Sequence, residues 1–350
     1  MTRRLFYLDL LKGFAMIGVL LTHFCQLVGS PNWGISLMAS IGSRCPQLFF
    51  LVSSFLTWAS FEKSSFVKGG NIMEFYKKKF SRLAPLYYVC LFFASVFPVM
   101  KLANWNMLDI VSHLTFTNGL FPEYINKWNV EWYIADLALF YVMAPFLYKI
   151  AGNLKKSLLT LAVVTLINIA FTIITNILFS TQIALNAQYE MFFHTFCIIN
   201  QLPVLLMGVV LYYFQKGVLN SEIKVRKIIV CMSIVLGVVL FLFFTFHLNK
   251  RVLTSSFVAG LLFSFPFALL SSHKQEHNLR RFPNLAKFIC FMGKHSYGIY
   301  CFHYIIIRFF VEKTFFFSNI SNFFLWILAF VCVLVFSCFS GAIGEKYIKA

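Results

Sequence analysis

The chain has 350 residues, of which 60% are hydrophobic and only 12% are charged, whereas a soluble domain carries about 25% charged residues. This composition excludes an ordinary soluble domain, so the net charge of +18 indicates basic loops beside anionic lipid rather than nucleic-acid binding. The nine cysteines form no CxxC pair and no cluster with nearby histidines, and we therefore predict no metal site.

Apolar stretches divide the chain into about ten candidate transmembrane helices, because a bilayer core of ~30 Å needs about 20 apolar residues per helix. The predicted spans are residues 10–29, 44–61, 83–100, 131–150, 157–179, 194–214, 228–246, 252–271, 295–311 and 320–340. The stretch 104–122 is only moderately apolar, and we interpret it as an interfacial or re-entrant segment. Lipid offers no partner for an open sheet edge. The predicted fold is therefore an all-α polytopic membrane bundle, with one domain over residues 1–350 and no added soluble domain.

The basic residues predict how this bundle is oriented. With the amino terminus inside, 23 of the 30 lysine and arginine residues fall on the inner side, as the positive-inside rule requires. The other seven fall outside, and among them the pair Lys250-Arg251 opposes the assignment locally. We therefore expect both chain ends in the cytoplasm. No internal repeat supports an inverted-repeat transporter.

The first predicted span carries ionisable residues, which are costly inside a bilayer and are therefore functional candidates. Lys12 and His23 are eleven residues apart, so a helix returns them to within about 20° of the same face, with a rise of ~16 Å. Asp9 precedes Lys12 by three residues and can neutralise it locally. Lys12 is thus expected near the cytoplasmic end of one stripe, with His23 toward the outer leaflet.

A cation and a histidine at that separation suit a long substrate lying along the helix, and coenzyme A fits this description. Its phosphates bind cations, its pantetheine arm is thin and extended, and a histidine at the thioester can act as a general base. The alternative interpretation is that Lys12 only anchors the helix at the interface and that His23 bonds a neighbouring helix.

A second cluster precedes the third predicted span, where a run of lysines ends at Lys79 and is followed by Arg82. A lysine run usually indicates only a cytoplasmic loop. Arg82 differs because it abuts the apolar span, and its planar fork can grip a phosphate bidentately.

Two carboxylates, Glu131 and Asp136, begin the fourth predicted span among tryptophan and tyrosine residues. Glu131 could orient His23 or an acceptor hydroxyl, and the aromatic rings could stack on a sugar. Taken alone, an interfacial aromatic belt is the commoner explanation of these rings. His303 lies within the ninth predicted span, where a structural histidine is a commoner explanation than a second base.

Together these motifs resemble the acyltransferase 3 family of membrane proteins over nearly the whole chain. The matching elements are Lys12 to His23, Phe49-Phe50-Leu-Val-Ser53-Ser54-Phe55, Lys79-Phe-Ser-Arg82 before Pro85-Leu-Tyr, Trp128 or Asn129 leading to Glu131, Ser296 to His303, and Gly344-Glu345. The order of the motifs on a ten-helix chain is more specific than any one of them. Three residues depart from the family pattern: Lys12 and Lys79 replace the commoner arginine, and Ser54 replaces the usual glycine.

The resemblance implies transfer of an acyl group, usually acetyl, from cytoplasmic acyl-CoA to a hydroxyl of an outward-facing or lipid-linked carbohydrate. It also implies a multi-pass protein of the bacterial cytoplasmic membrane. Our hypothesis is a membrane O-acyltransferase of surface or envelope glycans, with acetyl-CoA as cosubstrate and no metal. The residues assigned to coenzyme A binding are Lys12, Lys79, Arg82 and Ser53. Those assigned to catalysis are His23, as general base or acyl carrier, and Glu131 or Asp136, which would orient it.

Two alternatives belong to other functional classes. A transporter or flippase for a carbohydrate or lipid would also need polar residues in the membrane, but not a cation and a base on one helix stripe. A non-catalytic membrane partner of a polysaccharide synthase would use Lys12, His23 and Arg82 only structurally.

Overall fold

The computed structural model describes residues 6–63, 71–96, 105–121, 123–125, 127–181, 193–219, 255–271, 283–313 and 322–348. Within these ranges the chain forms α-helices, one 3₁₀ turn (Asn118–Leu120) and no strand. The helices are α1 (Phe6–Val28), α2 (Trp33–Gly42), α3 (Cys45–Lys63), α4 (Ile72–Val96), α5 (Met107–Leu114), α6 (Glu131–Ile150), α7 (Leu154–Thr181), α8 (Ile198–Leu219), α9 (Ser255–Ser271), α10 (Asn284–Lys294), α11 (Ser296–Lys313) and α12 (Phe323–Ile348). The all-helical fold predicted from the sequence is confirmed for the described part of the chain.

Six stretches among the described residues are long and apolar enough to cross a membrane. They are Phe6–Val28, Trp33–Glu62, Glu131–Ile150, Leu154–Leu178, Phe193–Gly217 and Phe323–Tyr347. The shorter apolar stretches Ser256–Ala268 and Ser296–Val311 coincide with two further predicted spans. The predicted span 83–100 begins within α4, whose first half carries the basic cluster, and the predicted span 228–246 lies outside the described residues.

The helix crossings depend on small residues, as expected where packing rather than hydrophobic exclusion holds helices together in lipid. The α1–α10 crossing places Gly293 directly against the backbone of Asp9, and a side chain at Gly293 would overlap it. At the α11–α12 crossing, Gly298 and Gly341 face each other. These crossings hold α1 and α11 beside each other.

The Gly298 contact gives a prediction about stability. A β-carbon at Gly298 would collide with the carbonyl of Gly341, and overpacking of this kind costs about 1–3 kcal/mol. We expect Gly298→Ala to lower the melting temperature of the detergent-solubilised protein. Gly217→Ala is the matched control, because a β-carbon there has nothing within 4 Å. Equal melting temperatures for both variants would contradict the close crossing.

Contacts between helix ends define two ends of the bundle. At one end, which we name the basic end, the start of α1 and the end of α3 both contact α8. The start of α4 contacts α6 at the same end. The atom pairs are Gln215 Nε2 and Tyr7 Oη at 3.1 Å, Lys216 Nζ and Glu62 Oε2 at 2.7 Å, and Tyr76 Oη and the Val142 carbonyl at 2.8 Å. At the other end, the Trp326 indole donates to the Gly29 carbonyl at 2.9 Å. The helix ends predicted to be cytoplasmic thus meet on one side.

Helix α5 has its apolar side chains outside and its polar side chains inside. Its exposed residues are Met107, Leu108, Ile110, Val111 and Leu114, and its buried residues are Asp109, Ser112 and His113. Inside, Lys127 Nζ pairs with Asp109 Oδ1 at 2.9 Å. This inverted pattern is the one lipid requires of a segment lying within it, and the helix falls in the stretch predicted to be interfacial or re-entrant.

Candidate active site

His23 lies in the last third of α1, toward the end opposite the basic end. Its Nδ1 lies 2.9 Å from Oε1 of Gln26, an atom that only accepts hydrogen bonds, so Nδ1 carries the proton and Nε2 has a free lone pair. The ring packs against two residues of α11. The centroid distances are 5.2 Å to His303 and 5.3 Å to Tyr304.

His303 is fully buried and faces His23. Its Nδ1–H donates to the backbone carbonyl of Tyr300 at 2.6 Å, which leaves Nε2 as an acceptor. That nitrogen has no hydrogen-bond partner among the described residues. Because burying an unpartnered polar atom is costly, this nitrogen indicates a place where a substrate hydroxyl or water binds. Two imidazoles thus lie side by side, and in the neutral form of each ring Nε2 is an acceptor with no partner among the described residues.

A row of polar and aromatic side chains connects this histidine pair with the basic end. Lys79 Nζ donates to Thr57 Oγ1 at 2.9 Å, and Thr57 donates to the Ser53 carbonyl at 2.7 Å. The Ser53 side chain lies close to the Tyr133 hydroxyl. The ring of Tyr133 lies 4.9 Å from that of Tyr300, which lies 5.4 Å from that of His303. We call Lys79, Thr57, Ser53, Tyr133, Tyr300, His303 and His23 the polar row.

The predicted phosphate-binding residues occupy two places at the basic end. Lys79 lies over the Tyr141 ring at 4.6 Å, and the exposed Arg82 lies near both, since its charge acts on each of them. Arg82 forms no ion pair within the described ranges. Lys12 instead pairs with Asp9 at 2.9 Å, as predicted, where α1 crosses α10. The structure thus joins Lys79, Arg82 and Ser53 in one cluster, with Lys12 on a separate helix.

Glu131 is fully buried at the first position of α6. Its carboxylate accepts the backbone N–H groups of Trp128 and Val130 at 3.0–3.1 Å. His113 lies beside the carboxylate: its Nδ1–H donates to the Asp109 carbonyl at 2.7 Å, and its Nε2 is 3.7 Å from Glu131 Oε1, too far for a hydrogen bond. Glu131 therefore fixes the turn before α6, and it does not hydrogen-bond His23.

Asp136 lies one turn further along α6, also fully buried. Its Oδ1 lies against the Cα of Gly119, where a β-carbon would be 2.8 Å away. Neither carboxylate oxygen has a hydrogen-bond partner within the described part of the chain. The catalytic role assigned to Asp136 from the sequence stays a prediction.

Sequence reasoning assigned no catalytic role to two residues beside His23. From the sequence alone, His303 is interpreted as a structural histidine, and Tyr304 has no assigned role. The local signal for them is the spacing Tyr300, His303 and Tyr304 in α11, since residues three and four apart share a helix face. Which helix that face meets is not encoded in the spacing.

Comparison with known proteins gives one match. A family model described as an acyltransferase domain, that of the acyltransferase 3 family, matches residues 5–342. No curated protein and no solved structure matches the chain. The matched range includes every residue of the polar row.

Proposed function

Because the chain belongs to the acyltransferase 3 family, we propose that it is a membrane O-acyltransferase that moves an acyl group, by preference acetyl, from acyl-CoA to a carbohydrate hydroxyl. The observation that carries this proposal is the polar row, which leads from the cations Lys79 and Arg82 to the paired imidazoles of His23 and His303. A thin, extended donor with phosphates at one end and a thioester at the other suits this arrangement.

In the proposed reaction the donor phosphates bind at the basic end. Lys79 and Arg82 form this site, with Ser53 in the row behind them and Lys12 on the neighbouring helix. Arg82 is exposed and offers a planar fork for an anion, whereas Lys79 is held by Thr57. We place the basic end in the cytoplasm, where acyl-CoA is made and where basic residues concentrate.

The chemical step is proton transfer coupled to acyl transfer. Nε2 of His23 takes the proton of the acceptor hydroxyl as its oxygen bonds to the acyl carbon. The C–S bond then breaks, and the coenzyme A thiolate takes the proton back from the imidazolium. Glu131 contributes by fixing the turn at residues 128–130, which contacts α11 through Asn129 and Tyr304. The surrounding apolar helices keep water from the thioester.

The acceptor is proposed to be a cell-surface or lipid-linked carbohydrate, since the histidine pair lies toward the end opposite the basic end. The test uses sealed vesicles of bacterial cytoplasmic membrane containing the protein, with radiolabelled acetyl-CoA supplied to the cytoplasmic face only. Base-labile label should appear in the glycan or glycolipid fraction. Mass spectrometry of envelope glycans, with and without the protein, should show the matching loss of acetyl. Absence of both coenzyme A release and label would refute the proposed function.

The phosphate site gives a prediction about donor affinity. Arg82→Ala should raise the KM for acetyl-CoA about tenfold, with a smaller change in kcat, because it removes a binding contact remote from the reacting bond. Arg82→Lys should recover only part of this loss, since it keeps the charge but not the fork. The measurement is the initial rate against acetyl-CoA concentration. An unchanged KM in well-inserted Arg82→Ala protein would remove Arg82 from the site.

A further inference from the structure

Tyr304, whose ring packs against His23, carries a hydroxyl group whose hydrogen bonds have a defined direction. The side chain is buried, at 3% exposure, and its ring meets the His23 ring edge-on at 5.3 Å. Its oxygen accepts from Asn129 Nδ2 at 2.5 Å and from an Arg308 guanidinium nitrogen at 3.5 Å. Both neighbouring atoms are donors that cannot accept.

The Tyr304 hydroxyl has more acceptor positions in use than donor positions. A phenol hydroxyl has one hydrogen to donate and two lone pairs to accept with. The two lone pairs of Tyr304 face N–H groups, and the described residues offer its hydrogen no acceptor. The hydroxyl therefore keeps its hydrogen to donate, on a ring that packs against the His23 ring at 5.3 Å between centroids. Two neighbouring residues thus carry one proton acceptor, Nε2 of His23, and one hydrogen-bond donor, the hydroxyl of Tyr304.

The surroundings of Tyr304 favour negative charge on a group that it binds. The Arg308 guanidinium carbon lies 5.6 Å from the centre of the Tyr304 ring, so a fixed positive charge lies next to the hydroxyl. The backbone around Asn129 is fixed by Glu131, because the carboxylate of Glu131 accepts the N–H groups of Trp128 and Val130 on either side of Asn129. Its φ of 72° is a conformation that asparagine tolerates better than most residues do.

We propose that the Tyr304 hydroxyl is the hydrogen-bond donor that stabilises the oxyanion formed when the acceptor attacks the thioester. This inference rests on the proposed function and adds a catalytic residue to it. As the acceptor oxygen bonds to the carbonyl carbon, the carbonyl π electrons move onto its oxygen, and Tyr304 donates to that oxygen. When the C–S bond breaks, the carbonyl re-forms and the thiolate takes the proton held by His23. A donor aimed at developing charge stabilises the transition state more than the bound substrate.

The first test is Tyr304→Phe, which keeps the ring beside His23 and removes only the hydroxyl. With acetyl-CoA as donor and the native envelope fraction as acceptor, kcat should fall about 10²–10³-fold. The KM for acetyl-CoA should stay within about twofold of the parent. Tyr88→Phe is the control, because the Tyr88 hydroxyl donates to the Leu114 carbonyl at 2.7 Å, away from the site. A kcat for Tyr304→Phe near that of the parent would overturn the inference.

The second test changes Asn129, and it tests the role of the Tyr304 hydroxyl even if Tyr304→Phe folds poorly. Asn129→Asp replaces the donor with an isosteric acceptor that captures the Tyr304 hydrogen, so kcat should fall as far as in Tyr304→Phe. Asn129→Gly also tolerates positive φ but leaves that hydrogen available, so its kcat should fall only severalfold. A purely structural Asn129 predicts the reverse order, and that order would reject the inference. If the parent itself transfers no acetyl, the proposed function fails before the variants are compared.

Discussion

Replacing His23 with glutamine is expected to lower the rate of acyl transfer about 10²–10⁴-fold, the contribution typical of a positioned general base. Glutamine keeps hydrogen-bonding capacity at this position, so the partner Gln26 and the fold should be preserved. It cannot take up the hydroxyl proton. The measurement is release of coenzyme A and transfer of labelled acetyl from acetyl-CoA, using purified protein of confirmed melting temperature.

The matched control for His23 is His295→Gln. His295 is also a partly buried histidine, but it pairs with Glu345 at 3.1 Å, at the start of α11. Its replacement should leave the transfer rate within about twofold of the parent. Acetyl-CoA binding should be retained in His23→Gln, since the phosphate site is at the other end of the row. If purified His23→Gln transfers acetyl at a rate near that of the parent, the base assigned here is wrong.

Replacing Glu131 with alanine is expected to remove folded protein rather than only activity. The carboxylate is fully buried, binds two backbone N–H groups and lies 3.7 Å from His113 Nε2. Removing the carboxylate leaves two buried N–H groups without an acceptor, which costs about 1–3 kcal/mol for each group. We expect a large fall in both melting temperature and the yield of solubilised protein.

The role of Glu131 is separated from catalysis by two comparisons. Glu131→Gln retains an acceptor oxygen, so it should recover part of the stability. The surface substitution Glu62→Ala removes a partly exposed pair with Lys216 and should change stability by less than about 1 kcal/mol. A Glu131→Ala protein with the parent's melting temperature and no activity would instead make Glu131 a catalytic residue.

The sequence predicted the features that follow from local spacing. Asp9 pairs with Lys12 because residues three apart meet on a helix, and an eleven-residue interval places His23 on the same stripe. The apolar runs predicted the all-helical class, which is confirmed for the described residues, and about ten spans, of which six stretches long and apolar enough to cross a membrane are found among those residues. Packing also explains why serine at position 54 can replace the glycine that is usual in the family. Ser54 packs against Gly208 of α8, so the glycine that allows close packing lies on the partner helix.

The features that the sequence did not predict depend on which helices meet. His23 and His303 lie at opposite ends of the chain, and no periodicity indicates that their rings are 5.2 Å apart. Glu131 is predicted only as a polar residue at the start of a span, and its neighbour His113 comes from α5, a separate helix. Lys79 is predicted only as part of a lysine run, and its contact with Thr57 depends on how α4 is placed relative to α3.

The position of the histidine pair has a consequence for synthesis of the chain. His23 leaves the ribosome among the first residues, and His303 and Tyr304 leave it near the end. Domains generally fold from the amino terminus during synthesis, but α1 must wait in the bilayer, with Asp9, Lys12 and His23, until α10 and α11 arrive. A nascent chain halted before α11 would hold His23 without His303 and Tyr304, so under the proposed mechanism we expect an incomplete copy to have the base but not the hydrogen-bond donor, and to be inactive.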